Sequence, residues 1–186
     1  VNANTDSTAP EDIHNATSMA AAIAQMGVAQ DALSTLNNST TNPPEFLYTT
    51  MGGFVSLEPG VHQGGAVSIA ANSIVEFSAD NFSGVPMDHV WVVNLSEALT
   101  VGAGTVFVTD VPEGHTATII WNIGAAVTLS AGTEFIGTAF VGGAFSAATS
   151  DVSCGNIYAT GAVSVGSIGA VADGLDDTAL GEPVAC

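Results

Sequence analysis

Three ten-residue segments of this chain are near copies of one another: GGAVSIAANS at 64–73, SEALTVGAGT at 96–105 and GAAVTLSAGT at 124–133. Shorter echoes follow in GGAFSAATS from Gly142 and TGAVSVGS from Thr160. The alanine shared by these units falls at 66, 98, 126, 144 and 162, so the spacings are 32, 28, 18 and 18 residues. Such a unit is too short to bury a face by itself and closes a core only by stacking on its neighbours. A period near 18 residues made of short β-type runs therefore predicts one turn of a β-solenoid per repeat. The two longer intervals predict loops, at Phe82–Asp88 and Val111–His115.

Side chains on a strand alternate between its faces, and this assigns the repeats. Val67 and Ile69, Leu99 and Val101, and Val127 and Leu129 turn inward. Ala66 and Ser68, Ala98 and Thr100, Ala126 and Thr128, Ala144 and Ser146, and Ala162 and Ser164 turn outward. The expected result is an uncharged flat face carrying one alanine column and one hydroxyl column. That face is a candidate binding surface or the seat of the helix described next. Ser73, Thr105 and Thr133 begin a second hydroxyl column further round, and Asn94 and Asn122 recur just before their repeats as an asparagine ladder would.

Ahead of the repeats the period changes. Residues 1–16 read as a polar arm and 17–37 as an α-helix, in which Met19, Ala22, Met26, Ala29, Leu33 and Leu36 form one apolar stripe. A linker at 38–52, a solenoid at 53–172 and a tail at 173–186 complete what reads as one domain. The architecture expected is mainly β, with one long helix alongside.

Charge narrows function. The chain has 18 Asp and Glu and no Lys or Arg, where an average chain is about a quarter charged with both signs. Without fixed cations it has no means of neutralising phosphates, so nucleic acid and anionic membranes are excluded as partners. The carboxylates need spacing, salt or a screening ion such as Ca²⁺; no cofactor is called for. Lack of tryptic sites suits an exposed, extracellular life, as does pairing of Cys154 with Cys186, the reading preferred over a metal or redox motif because neither lies in a CxxC pair. No signal peptide precedes the arm, so the chain reads as a mature product. The uncharged run 114–133, broken by Gly and Thr, is no membrane helix.

No catalytic constellation is present, so an enzyme is not expected. His14, His62, His89 and His115 are scattered and read as surface or loop residues. His89 beside Asp88 and His115 beside Glu113 fall short of a metal site, and Asp173, Asp176 and Asp177 read as a solvated tail. Trp91 and Trp121 read as stacked core or edge aromatics. Asn15, Asn37, Asn38, Asn81 and Asn94 each open an N-x-Ser/Thr triplet.

The segments LEPGVH (Leu57–His62), GAGT, IIWNIGAAVTLSAGTEFIGTAF (Ile119–Phe140) and CGNIYATGAVSV (Cys154–Val165) resemble the large microbial ice-binding protein family over about residues 17–168. The resemblance implies a right-handed β-solenoid of triangular section with a long helix packed alongside. The coils that family members place ahead of the helix have no counterpart here, which predicts an open first rung. Two functions follow as expectations. The first is a self-associating extracellular subunit (filament, sheath or adhesive surface layer) whose partners are other copies of itself or a cell or abiotic surface. The alternative is an ice-binding or antifreeze protein using the flat Ala/Ser/Thr face.

Overall fold

The computed structural model describes residues 16–36, 45–79, 85–153 and 155–167. Its β part climbs in six rungs. The first is β1 (Glu45–Phe46), β2 (Thr50–Met51) and β3 (Phe54–Leu57); the second is β4 (Gly60–Gly64), β5 (Val67–Ile69) and β6 (Ile74–Ser78). The third is β7 (Asp88–Leu95), β8 (Leu99–Val101) and β9 (Val106–Asp110); the fourth is β10 (Thr116–Ile123), β11 (Val127–Leu129) and β12 (Glu134–Ile136). Then come β13 (Thr138–Val141), β14 (Phe145–Thr149) and β15 (Asp151–Ser153), and finally β16 (Ile157–Ala159) and β17 (Val163–Ser167). Equivalent strands pair in parallel and in chain order. Sheet A is β1-β4-β7-β10-β13-β16, sheet B is β2-β5-β8-β11-β14-β17, and sheet C is β3-β6-β9-β12-β15. The three sheets form the β-solenoid. Its first rung opens at Glu45 within the expected linker, ahead of the expected start at 53, because β1 and β2 pair with β4 and β5.

The interior follows the alternation. Val67, Leu99, Val127, Phe145 and Val163 occupy one inward column of sheet B. Beside it Phe77, Phe107 and Phe135 meet Trp91 and Trp121 edge-on or tilted, with ring centroids 5.1–5.8 Å apart, the arrangement that aromatic quadrupoles favour. The two tryptophans are core residues in different columns, since Trp91 pairs with Ile119 and Trp121 with Val93. Their indole N–H groups donate to the carbonyls of Leu57 and Ile136, each at 2.9 Å.

At the corner between sheets B and C the chain turns through a left-handed residue: Asn72 (φ 56°), Gly104 (φ 67°) or Gly132 (φ 69°). Asn and Gly tolerate this conformation where other residues are strained. The turn swings the next side chain inward. Ser73, Thr105 and Thr133 are therefore fully buried, their hydroxyls donating to the carbonyls of Ala70, Ala70 and Ser130 at 2.7–3.0 Å. The second hydroxyl column is real as a column and lies inside the wall, where it ties the corner together.

Helix α1 (Ala16–Ser34) ends before the expected 37 and packs on sheet A. Asn94 and Asn122 pair across β7 and β10, with Asn122 Nδ2 donating to Asn94 Oδ1 at 3.0 Å. The same amides reach the helix: Asn94 Nδ2 donates to the Leu33 carbonyl at 2.8 Å and Asn122 Nδ2 to the Gln30 carbonyl at 3.0 Å. Gln30 returns two bonds to the carbonyls of Ile123 and Phe140. Of the expected stripe, Met26 is buried and Ala29 and Leu33 are half-buried, whereas Ala22 and Leu36 are exposed. Contact is concentrated in the C-terminal half of the helix, where the amide bonds lie.

A flat face of small side chains

α1 packs on sheet A, and among the described residues no helix covers the outer side of sheet B. Its central column is Thr50, Ser68, Thr100, Thr128, Ser146 and Ser164, joined rung to rung by the parallel register. All six are exposed, and among the described residues none of their hydroxyls has a protein partner. On one side runs the alanine column Ala66, Ala98, Ala126, Ala144 and Ala162; the carbonyls of the last four accept the backbone N–H groups of Val67, Leu99, Val127 and Phe145. Tyr48, 80% exposed, stands at the same place on the first rung.

A third column lies on the other side and escaped the sequence reading. Two residues beyond each hydroxyl come Gly52, Ala70, Gly102, Ser130, Ala148 and Gly166, and no side chain among them is longer than a serine. Rungs in a parallel sheet stand about 4.8 Å apart and alternate residues of a strand about 6.6 Å apart. Six rungs by three columns thus make a plane of about 24 by 13 Å. It holds no charge, although the chain carries 18 carboxylates.

The other candidate residues resolve differently. Cys154, Cys186, Asp173, Asp176, Asp177, His14, Asn15, Asn37, Asn38 and Asn81 lie outside the described residues. Asn94 is buried with its amide engaged in the helix contact, which closes that triplet to a glycan. His62, His89 and His115 are buried, not surface residues. His89 Nε2 lies 2.8 Å from His115 Nδ1, with the rings stacked 8° from parallel. Their sequence neighbours Asp88 and Glu113 are exposed. Among the described residues no group of three or more His, Cys, Asp or Glu could hold a metal, and no helix is long and apolar enough to cross a membrane.

Comparison with known proteins agrees with this architecture. A family model described as ice-binding-like matches residues 2–169. Among solved structures, the chain is similar to an ice-binding protein from the Antarctic ascomycete Antarctomyces psychrotrophicus, at 22% identity and a TM-score of 0.63, covering 80% of this chain and 68% of that one. It is also similar to an ice-binding protein (LeIBP) from an Arctic yeast, at 18% identity and a TM-score of 0.48, covering 80% of this chain and 63% of that one. No curated protein sequence matches significantly.

Proposed function

This chain belongs to the ice-binding-like family, and from that premise we propose that it binds ice through the outer face of sheet B. The observation that carries the reading is the exposed hydroxyl column, without a protein partner among the described residues, flanked by an alanine column and a column of glycine, alanine and serine. Hydroxyls repeating every rung anchor water at a fixed period. The methyl groups between them give bulk water nothing to bond to, so a rigid hydration layer forms on the plane before ice arrives. A wall held by backbone ladders spends little entropy in presenting that layer. The role is non-catalytic and extracellular, where a chain without Lys or Arg offers trypsin-like proteases no site. Thermal hysteresis of the purified chain, together with adsorption of labelled protein to a growing ice hemisphere, tests the reading. Absence of both activities removes it.

A second reading, a self-associating surface or filament subunit, is favoured by the ends of the solenoid. β1, β2 and β3 are edge strands of their sheets, and on the last described rung the inward Val163 and Val165 are 56% and 40% exposed. Rungs of like shape stack end to end, with salt or Ca²⁺ screening the carboxylates. Light scattering with and without Ca²⁺ decides it: a monomer in every condition refutes assembly.

A further inference from the structure

The first rung is an edge in all three sheets. Among the described residues β1, β2 and β3 pair on one side alone, with β4, β5 and β6. Its inward side chains are mostly apolar: Met51 and Leu57 are buried, and Leu47 and Val55 are half-buried against the core. One inward position departs from that pattern. The parallel register sets Glu45 over His62 and His62 over Val93, and continues through Trp121 and Ala139 to Ile157 on the last described rung. Glu45 therefore tops a column that is otherwise interior, with His62 2% and Val93 0% exposed beneath it.

A carboxylate accepts about four hydrogen bonds. The protein group facing this one is the His62 ring, whose Nδ1 lies 3.3 Å from Glu45 Oε2. The other ring nitrogen, Nε2, is engaged by the Glu58 carbonyl at 2.8 Å, so His62 brings at most one donor in either charge state. The chain has no Lys or Arg to add another. The Glu45 side chain is instead 64% exposed, and water serves its remaining acceptor sites. A further rung laid on β1, about 4.8 Å away, strips that water off and buries a charge left largely unpaired, which is strongly unfavourable. Inward-facing charges on edge strands are one of the ways sheets resist a new neighbour. We propose that Glu45 is a charge stop, which keeps the open first rung from taking up the last rung of a second copy of this chain. Stacking of that kind continues the rungs and sets the incoming copy's Ile157 over Glu45. The apolar side chains around Glu45 favour the contact, and its carboxylate opposes it. The stop rests on the same open end as the assembly reading above and not on ice binding.

The test measures the mass of the full chain by light scattering over a range of concentrations, with chelator present. Wild type should stay monomeric. Glu45→Val, at an exposed side chain, should keep the circular-dichroism melt and associate. Its mass should rise with concentration by about twofold or more, since head-to-tail contacts do not close. Glu97→Val removes the same charge and adds the same apolar surface at an exposed position away from the end, and should stay monomeric. Adding Ile157→Asp to Glu45→Val puts a carboxylate on the opposite end and should restore the monomer. The stop is overturned if Glu45→Val stays monomeric, if Glu97→Val associates as strongly, or if the double variant still associates. Association of the wild type also overturns it, while leaving the assembly reading standing, so the two fail separately.

Discussion

Thr128→Tyr places the largest strand-compatible side chain near the centre of the sheet B face. Thr128 is exposed with Thr100 and Ser146 directly above and below it. A tyrosine there rises over neighbours on its own and the adjoining rungs that end no more than two atoms beyond Cα. It lifts any flat partner off its own position, off the rungs on either side and off both flanking columns. That footprint covers Thr100, Thr128 and Ser146 with Ala98, Ala126, Ala144, Gly102, Ser130 and Ala148, nine of the eighteen positions in the array. Half the contact is lost outright and the remainder lies on two sides of a step. Thermal hysteresis should therefore fall by well over half, and ice crystals should lose their shaping. The fold should not suffer, because exposed strand positions shift stability by about 0.5 kcal/mol or less and tyrosine suits strands. Nanolitre osmometry paired with a circular-dichroism melt measures both. Thr118→Tyr, an exposed threonine on sheet A, is the matched control and should keep full activity. Undiminished hysteresis in Thr128→Tyr with an unchanged melt would refute the assignment of this face.

Three further outcomes test the scaffold. Asn122→Ala removes the amide that bonds both Gln30 and Asn94; urea melts should show a loss of about 1–3 kcal/mol, with the amides of α1 losing exchange protection first. Gly104→Ala forces a side chain into φ 67° and brings its Cβ within 2.7 Å of Asn72 Oδ1, so it should cost at least the left-handed penalty of about 1–2 kcal/mol, whereas Gly65→Ala, with nothing within 4 Å, should be silent in the same melt. Phe135→Ala empties a fully buried ring site and should cost about 3–5 kcal/mol, read as a lower urea midpoint.

The strands of the repeats were legible because Val67-Ser68-Ile69 and its copies alternate strictly, and a two-residue period leaves no freedom about which side chain is inside. Thr50 belongs to the same outer column but was hidden. Tyr48-Thr49-Thr50-Met51 lacks the Ala-x-x-x rhythm, and only the Met-Gly that follows echoes Ile69-Ala70. The third column was hidden because the alternation of the repeats marks only two outward positions in each, while the ladder continues one residue beyond the last inward one. Ser73, Thr105 and Thr133 changed sides because a left-handed corner breaks the alternation used to place them. The helix stripe was visible, but the sheet it would cover was not: that depends on Asn94 and Asn122, two ordinary residues until β7 and β10 align them. Buried histidines left no trace, since a polar residue 26 positions from its partner gives no local periodicity to read.

The left-handed corners have a consequence for how such a protein changes over time. Shape is held by Asn72, Gly104 and Gly132, by the buried hydroxyls beside them and by the inward columns, while among the described residues the outer hydroxyls of sheet B have no protein partner. If the sheet B face is the recognition surface proposed above, the instructions for folding and those for recognition are written in different residues, and the second set can be erased without touching the first. Lineages sharing this wall are free to lose, enlarge or repurpose the face by substitutions that folding does not penalise. The same separation lets a designer treat sheet B as blank paper of fixed ruling, with about 4.8 Å between its lines.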